Sequence, residues 1–478
     1  MTMVKTVIDV FGSTIIVPVV VFILSLIMRV KPKDAFKGAL FMGVGLTAFN
    51  IILGSLMGSL SPMVTQMVKN TGINLPGIDV GWPAGAVIVY ANTIGMFYLV
   101  FGLLVNLVLF LTKWTDTFQP TDIWNYYQFV FWAAIVQYVT GSFWLGVACA
   151  TYLNLIVLLI ADWIAPSLQE HYGYDGVTST CICAINGAPF AILIKWLLKK
   201  LKLDKVRLDP TTLRDKIGFF GEPVTMGLIV GIVISFIASL NALGQMATWA
   251  SILTTGIVTG AIMALYPAVS GLFVKGLIPI SQKMSARAQS GQMRRKNFYI
   301  SLDPAVYFGE EANLTAGLIM IPIMLLIAVI QPGNRMLPLA DLAAMPFMVI
   351  GITAVMKGNI FGTVIAGTIW YTIGQALNST ILEIFTKAAA TAGVAEASQG
   401  ALVSAWTLGV VPYGWLGYKA FAASGTMKVL TILIAVAVYL AVYFAFRKNK
   451  VAWQIAAGAS PEFMEAQKAK ELGKAAAK

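Results

Sequence analysis

The sequence predicts an all-α polytopic membrane protein with about 10–11 transmembrane helices plus re-entrant hairpins, and three observations support this class. Of the 478 residues, 58% are apolar and 11% are charged, whereas soluble proteins carry about 25% charged residues. Long apolar runs recur along the chain, and most of the 33 basic residues lie between these runs or after the last one. Because lipid solvates apolar surface, the composition disfavours a soluble domain, a disordered chain and an outer-membrane barrel.

The apolar runs define the individual elements, because a helix needs about 20 mainly apolar residues to cross the hydrocarbon core. The first run is followed by Arg29-Val-Lys-Pro-Lys33 rather than by a cleavage site, so it is predicted to be a span. We predict one transmembrane domain over 1–450 and a cytoplasmic tail over 451–478, with the tail a solvated or frayed helix. The predicted spans are 10–28, 39–60, 86–112, 127–145, 147–165, 222–246, 248–279, 313–331, 340–356, 358–380 and 426–446.

The net charge of +12 gives the predicted orientation. Basic residues concentrate in 29–37, 195–216, 275–296 and the tail from Arg447. Short cytoplasmic loops retain Lys and Arg, so these segments are predicted to be cytoplasmic. The N-terminus is then outside and the C-terminus is cytoplasmic. Since the charge follows the loops and not a groove, nucleic acid is not predicted as a partner.

Two apolar segments, 178–196 and 381–425, do not fit simple spans. Gly187 and Pro189 interrupt the first, and Gly409 and Pro412 interrupt the second. In the predicted topology both ends of each segment lie on one side of the membrane, as a re-entrant hairpin requires. Broken segments that enter from opposite faces are typical of secondary transporters with inverted repeats.

Acidic residues near the apolar runs are the first candidates for a binding site, because a charge inside a membrane is costly. Asp303 precedes a proline, which moves it out of helical geometry, so its carboxylate faces either a cavity or a helix N-terminus. Glu311 falls in the first turn of the next predicted helix, and Asp79 and Asp341 stand at predicted helix entrances. Sequence alone leaves two roles open for these residues, helix capping and ligand binding.

Amide side chains and aromatic rings share the segment 125–142, which begins with Asn125 and Gln128. Amides bind hydroxyls through paired hydrogen bonds and rings stack on C–H faces, so this segment suits a sugar or polyol. The alternative is interhelical hydrogen bonding with an interfacial aromatic belt. Trp82, and Cys183 and Asn186 of the first hairpin, complete the predicted substrate-binding set.

Signatures of catalysis are absent from the sequence. His171 is the only histidine, and it lies in a turn-rich segment with no Walker loop or HExxH motif elsewhere. Cys181 and Cys183 are one residue apart, closer than a usual redox pair. We therefore predict no catalytic residue, no metal ligand and no cofactor on this chain.

Five short motifs give the chain a resemblance to the galactitol-type IIC permeases of the bacterial phosphoenolpyruvate-dependent phosphotransferase system, which are similar in fold to the ascorbate IIC permeases. The similarity extends from the first predicted span to the last. The motifs are Asp79-Val-Gly-Trp-Pro83, Asp122-Ile-Trp-Asn125, Gly221-Glu-Pro-Val224, Leu302-Asp-Pro-Ala305 and Pro332-Gly-Asn-Arg-Met-Leu-Pro338.

The resemblance implies a homodimer in the bacterial cytoplasmic membrane. Each protomer would combine a scaffold domain with a core domain that carries the substrate by an elevator-type motion. Soluble IIA and IIB partners would supply the phosphoryl group, with a phosphocysteine on IIB as the last donor. Asp303 falls where the ascorbate relatives have a substrate-binding aspartate, which favours a binding role.

The chain departs from the family pattern in one stretch, and this departure bears on the substrate. Galactitol permeases have a His-Gly-Thr-Ser-like stretch where this chain has Cys181-Ile-Cys-Ala184. We therefore expect galactitol as the first candidate substrate and a related polyol or sugar as the second.

Arg294, Arg295 and Lys296 are predicted to dock the anionic IIB domain. The positive-inside rule offers an alternative reason for the same cluster.

Three functions follow as hypotheses. The first is a permease that delivers a polyol for phosphorylation by IIB. The second is a cation-coupled symporter with Asp303 or Glu311 as its proton site. The third is an integral-membrane enzyme that modifies a lipid, which the scarcity of histidine and the lack of a metal motif disfavour.

Overall fold

The computed structural model is mainly helical, and it describes residues 29–71, 75–119, 125–210, 218–289, 298–398 and 400–476, with a few single positions among 15–26 and at 212 and 215. In chain order its helices and strands are α1 (Pro32–Thr71), β1 (Gly77–Asp79), α2 (Gly81–Ala91), α3 (Thr93–Leu111), β2 (Thr117–Phe118), α4 (Tyr126–Thr140), α5 (Phe143–Tyr172), β3 (Val177–Thr178), α6 (Ile182–Ile185), α7 (Ala188–Lys200), α8 (Pro223–Ala238), α9 (Met246–Gln289), β4 (Tyr299–Ser301), α10 (Ala305–Phe308), α11 (Glu311–Ile330), α12 (Met345–Met348), α13 (Ile350–Val355), α14 (Ile360–Ser379), α15 (Leu382–Thr391), α16 (Ala395–Ser398), β5 (Leu402–Ser404), α17 (Trp406–Gly409), α18 (Pro412–Phe421), α19 (Gly425–Lys448), α20 (Lys450–Ala456) and α21 (Pro461–Ala476).

Seven helical segments of the described chain are long and apolar enough to cross a membrane, which confirms a polytopic helical membrane protein. The predicted span 10–28 lies almost wholly outside the described residues. The seven segments are Thr93–Leu111, Phe143–Tyr172, Ile182–Lys200, Met246–Leu265, Glu311–Ile330, Ile360–Ser379 and Gly425–Lys448.

Two predicted spans are broken rather than continuous. The run 86–112 divides into α2 and α3 because the Asn92 backbone is extended and its side chain accepts a hydrogen bond from the Ile94 N–H, which caps α3. The run 340–356 divides into α12 and α13, both shorter than a span. The hydropathy of the sequence does not reveal such breaks, because apolar residues continue through them.

Two small parallel sheets hold the interrupted segments together. β1 pairs with β5, which places Asp79 opposite Ser404. β4 lies between β2 and β3, which places Ser301 opposite Thr178. After β3, β4 and β5 the chain follows one order: a buried four-residue helix (α6, α10 or α17), a break, and a longer helix (α7, α11 or α18). The sheets therefore bring the breaks of distant segments into one interior.

Glycine allows a close approach in that interior. A Cβ at Gly187, between α6 and α7, would lie 2.6 Å from Cδ1 of Ile352 on α13. Because a real Cβ needs more room, any larger residue here would force the Ile352 side chain to move, so glycine allows the closest packing of this break against α13.

The tail differs from the predicted solvated helix at its start, where α20 packs along the end of α5. Gln454 Nε2 donates to the Asp162 carbonyl at 3.0 Å, and Trp163 Nε1 donates to the Trp453 carbonyl at 2.7 Å. The Ser460 N–H donates to a Glu170 carboxylate oxygen at 2.6 Å. These bonds satisfy polar groups along α5, so the segment 450–460 is part of the folded domain.

Candidate functional site

Asp303 lies at the break between β4 and α10, as its place before a proline predicts. Its Oδ1 accepts a hydrogen bond from the Ala305 N–H at 2.8 Å, and its Oδ2 accepts one from Asn125 Nδ2 at 2.9 Å. The residue is half-buried, and burial raises the pKa of its carboxyl against these two hydrogen bonds. One carboxylate thus joins the first residue of α10 to an amide of another segment, and a ligand-binding role for Asp303 stays a prediction.

Gln128, in the first turn of α4, continues this polar chain into the interior. Its Nε2 donates to Asn125 Oδ1 at 3.0 Å. Its Oε1 accepts from Cys181 Sγ at 2.8 Å and from the Cys183 N–H at 3.1 Å. The predicted amides therefore connect the Asp303 break to the segment predicted as the first hairpin.

That segment makes further contacts through Cys183 and Asn186, which have no exposed surface. Cys183 Sγ donates to the Thr407 carbonyl at 3.4 Å. Asn186 Nδ2 donates to the Ile182 and Cys183 carbonyls at 2.8 and 3.0 Å, and its Oδ1 accepts from Trp370 Nε1. The amide of Asn186 is thus occupied by protein partners that close α6.

Asp79 and Asp341 bind backbone N–H groups of several segments. Asp79 Oδ2 accepts from the N–H groups of Ala340 and Asp341 at 3.0 and 2.9 Å. Asp341 Oδ1 accepts from the Trp82 N–H at 2.9 Å, and its Oδ2 accepts from the Thr407 N–H at 2.8 Å. The two carboxylates fasten the starts of α2 and α17 to the segment before α12; a substrate-binding role for either stays a prediction.

Trp82 stands beside this cluster and is half-buried. Its ring lies 6.1 Å from the ring of Tyr127, and the Tyr127 hydroxyl is 3.4 Å from Gln128 Nε2. Two rings thus neighbour the amide chain, which is the pairing of flat apolar faces with hydrogen-bonding groups that suits a polyol.

Hydrogen bonds consequently connect most of the predicted residues in one network. Among its members Asp303 retains solvent access, whereas Asn125, Gln128, Cys183 and Asp341 are buried. A ligand that reaches the half-buried carboxylate would meet an anionic acceptor already oriented by protein groups. The network runs through Asp303, Asn125, Gln128, Cys183, Thr407, Asp341 and Asp79.

Glu311 occupies the first residue of α11 and is half-buried. Its neighbour Glu310 accepts a hydrogen bond from the Asn313 N–H at 2.9 Å and is the N-cap of that helix. The same carboxylate lies 3.6 Å from His171 Nε2. A ligand role for Glu311 stays a prediction, and the predicted docking residues Arg294, Arg295 and Lys296 lie outside the described residues.

The predicted substrate-binding set omitted three members of the site: Cys181, Thr407 and Tyr127. The cysteine was considered as a redox or metal group and as part of a departure from the family pattern, although a thiol is also a hydrogen-bond donor. Thr407 acts through its backbone, which carries no residue-type signal. Tyr127 is one of the aromatic residues of the segment 125–142 that sequence favours for a sugar or polyol, but it was not included in that set.

Comparison with known proteins gives a match to the family described as "PTS system sugar-specific permease component", over residues 6–400. The "PTS system galactitol-specific EIIC component" of Escherichia coli (strain K12) is 31% identical over 441 residues, which cover 92% of this chain and 95% of that protein. Its counterpart in Escherichia coli O157:H7 shows the same identity and coverage. A "Putative permease IIC component" of strain K12 is 29% identical, covering 92% of this chain and 98% of that protein.

Proposed function

Because the chain belongs to the family of PTS sugar-specific permease components, an integral inner-membrane protein class, we propose that it carries galactitol or a closely related polyol. The name of the galactitol-specific relatives suggests the substrate. The observation that carries the proposal is the half-buried Asp303 carboxylate, held by Asn125 at 2.9 Å and continued by Gln128.

The chemistry of this network favours a neutral polyhydroxylated ligand. A carboxylate offers only acceptors. Within the described part of the chain each oxygen of Asp303 has one protein donor, and a carboxylate oxygen can accept two hydrogen bonds. Hydroxyl groups can fill these positions as donors, and hydrogen bonds to a charged acceptor are stronger than those between neutral groups.

The wider architecture belongs to the same proposal. Segments 178–196 and 381–425 act as re-entrant hairpins of a mobile core domain, which moves against a scaffold domain in an elevator-type cycle. The transmembrane domain comprises 1–450 and the N-terminus is outside. The tail over 451–478 is cytoplasmic, with its first residues packed against α5. The working form is a homodimer.

Phosphoryl transfer requires soluble IIA and IIB partners in this proposal. The permease presents the polyol at the cytoplasmic side, where a phosphocysteine on IIB is the donor. Arg294, Arg295 and Lys296 attract that anionic domain, because complementary charge accelerates the encounter. The chain itself supplies binding and translocation, and no catalytic residue.

A binding panel tests the substrate class. Hexitols, pentitols and ascorbate are added to the purified protein and the midpoint of thermal unfolding is recorded. A ligand at 100 times its Kd stabilises the folded state by about 2.7 kcal/mol, so galactitol or a related polyol should raise the midpoint. Stabilisation by ascorbate alone, or by none of the compounds, would contradict the proposal.

A further inference from the structure

The oxygen of the Gln128 amide accepts two hydrogen bonds from the segment that precedes and includes α6. The Cys181 thiol donates at 2.8 Å and the Cys183 N–H donates at 3.1 Å. Both cysteines have no exposed surface, and Gln128 is 2% exposed. Since the contact is sealed from solvent, water cannot replace the thiol as a donor.

These two donors determine which way the amide points. A primary amide has one accepting and one donating end, and a buried donor placed opposite another donor is unfavourable. With its oxygen on the cysteines, Gln128 directs Nε2 toward Asn125 Oδ1 at 3.0 Å. Asn125 must then direct Nδ2 toward Asp303, which it reaches at 2.9 Å. The donor-to-acceptor direction of these hydrogen bonds, from Gln128 through Asn125 to Asp303, is therefore set at the cysteine segment.

We propose that Cys181 is a positioning residue for polyol binding, acting through the amides of Gln128 and Asn125 on the Asp303 carboxylate. The inference rests on the proposed function and adds to it a residue that does not itself touch the ligand. Loss of the thiol leaves the Gln128 oxygen with the Cys183 N–H as its donor, so the amides sample orientations in which Asp303 is held less firmly for the ligand.

The backbone around Cys181 is held independently of its thiol. The Thr180 N–H donates to Ser301 Oγ at 3.0 Å, and the Leu302 N–H donates to the Thr178 carbonyl at 2.9 Å. The Cys181 carbonyl accepts from the N–H groups of Ala184 and Ile185. A side-chain substitution therefore removes the thiol bond without removing the bonds that attach this segment to β4.

The test compares Cys181→Ala with Cys181→Ser, which keeps a donor at nearly the same place. Cys149→Ala is the matched control: it removes the same atoms from a buried thiol on α5 that lies outside the network. For the full-length protein in detergent, isothermal titration gives the Kd of the polyol selected by the thermal panel. The midpoint of thermal unfolding of each variant is measured alongside its Kd.

Cys181→Ala should raise Kd about three- to tenfold, as expected for one lost neutral hydrogen bond. Cys181→Ser should stay within about twofold of the wild type, and Cys149→Ala should leave Kd unchanged. If the alanine variant does not fold, the isosteric pair Cys181→Thr and Cys181→Val replaces it, and only the threonine variant should retain wild-type affinity.

Wild-type affinity in Cys181→Ala, or equal losses in the donor-bearing and donor-free variants, would overturn the inference while leaving the proposed function intact. A wild-type protein that binds no polyol in the panel would remove the proposed function, and this inference with it. The two failures are therefore distinguished by the wild-type titration.

Discussion

Replacing Asp303 with asparagine tests the residue on which the binding proposal depends. The substitution keeps the shape of the side chain, removes its charge and turns one accepting oxygen into a donor. In the native site Oδ1 accepts from the Ala305 N–H and Oδ2 accepts from Asn125 Nδ2. An asparagine amide must therefore face one of these donors with another donor.

The expected loss of affinity follows from the bonds that remain for a ligand. Each carboxylate oxygen can accept one further hydrogen bond, so two ligand hydroxyls can bind the charged group. Exchanging two charge-assisted bonds for neutral ones, with one acceptor removed, weakens binding by about 2–4 kcal/mol. This corresponds to a Kd raised by about 30- to 1000-fold.

Titration calorimetry of the purified protein measures this change, and size-exclusion chromatography reports whether the variant remains folded and elutes as the wild type does. Asp34→Asn, at an exposed position in the first turn of α1, makes the same chemical change away from the site and should leave Kd unaltered. A wild-type Kd in Asp303→Asn would remove this residue from the binding site.

Three further predictions concern other parts of the molecule. Replacing Arg294, Arg295 and Lys296 with glutamine should raise the apparent KM for IIB more than the Kd for polyol. The same change at Lys31, Lys33 and Lys37 should leave the KM for IIB unaltered. An unaltered KM for IIB in the first variant would refute the docking role. Lys450→Ala should lower the free energy of unfolding by about 1 kcal/mol, because Lys450 Nζ donates to the largely buried Asp116 carboxylate at 2.7 Å. Denaturant unfolding of this variant is compared with that of Lys448→Ala, at an exposed position. Equal losses of stability in the two variants would contradict the prediction. Asp341→Asn should destabilise the fold by about 1–3 kcal/mol, since both carboxylate oxygens accept buried backbone N–H groups and an amide can serve only one; an unchanged thermal midpoint would show that these bonds contribute little.

Scarcity of charge explains why the sequence located much of the candidate site. In a chain with so few acids, Asp303 and Asp341 stand out beside apolar runs, and the structure places both in one hydrogen-bond network with Asn125 and Gln128. Residue type and membrane context therefore selected the polar members. They did not show which oxygens are committed to protein donors, since backbone N–H groups have no signature in the sequence.

Backbone breaks explain the part of the fold that sequence could not reveal. Hydropathy predicted 86–112 and 340–356 as continuous spans, yet α2 and α3 separate at Asn92 and the second run forms α12 and α13. The strand pairings, such as Asp79 opposite Ser404, join segments far apart in the chain. Such long-range pairing depends on tertiary packing, which local periodicity does not encode.

Transport in sealed vesicles tests the central claim most directly. Vesicles that contain this protein are supplied internally with phosphoenolpyruvate and the soluble phosphotransferase components, and labelled galactitol is added outside. We expect the label to accumulate inside as the phosphorylated polyol, with uptake lost when IIB is omitted. Accumulation of unmodified galactitol that follows an imposed ion gradient and needs no IIB would contradict the account.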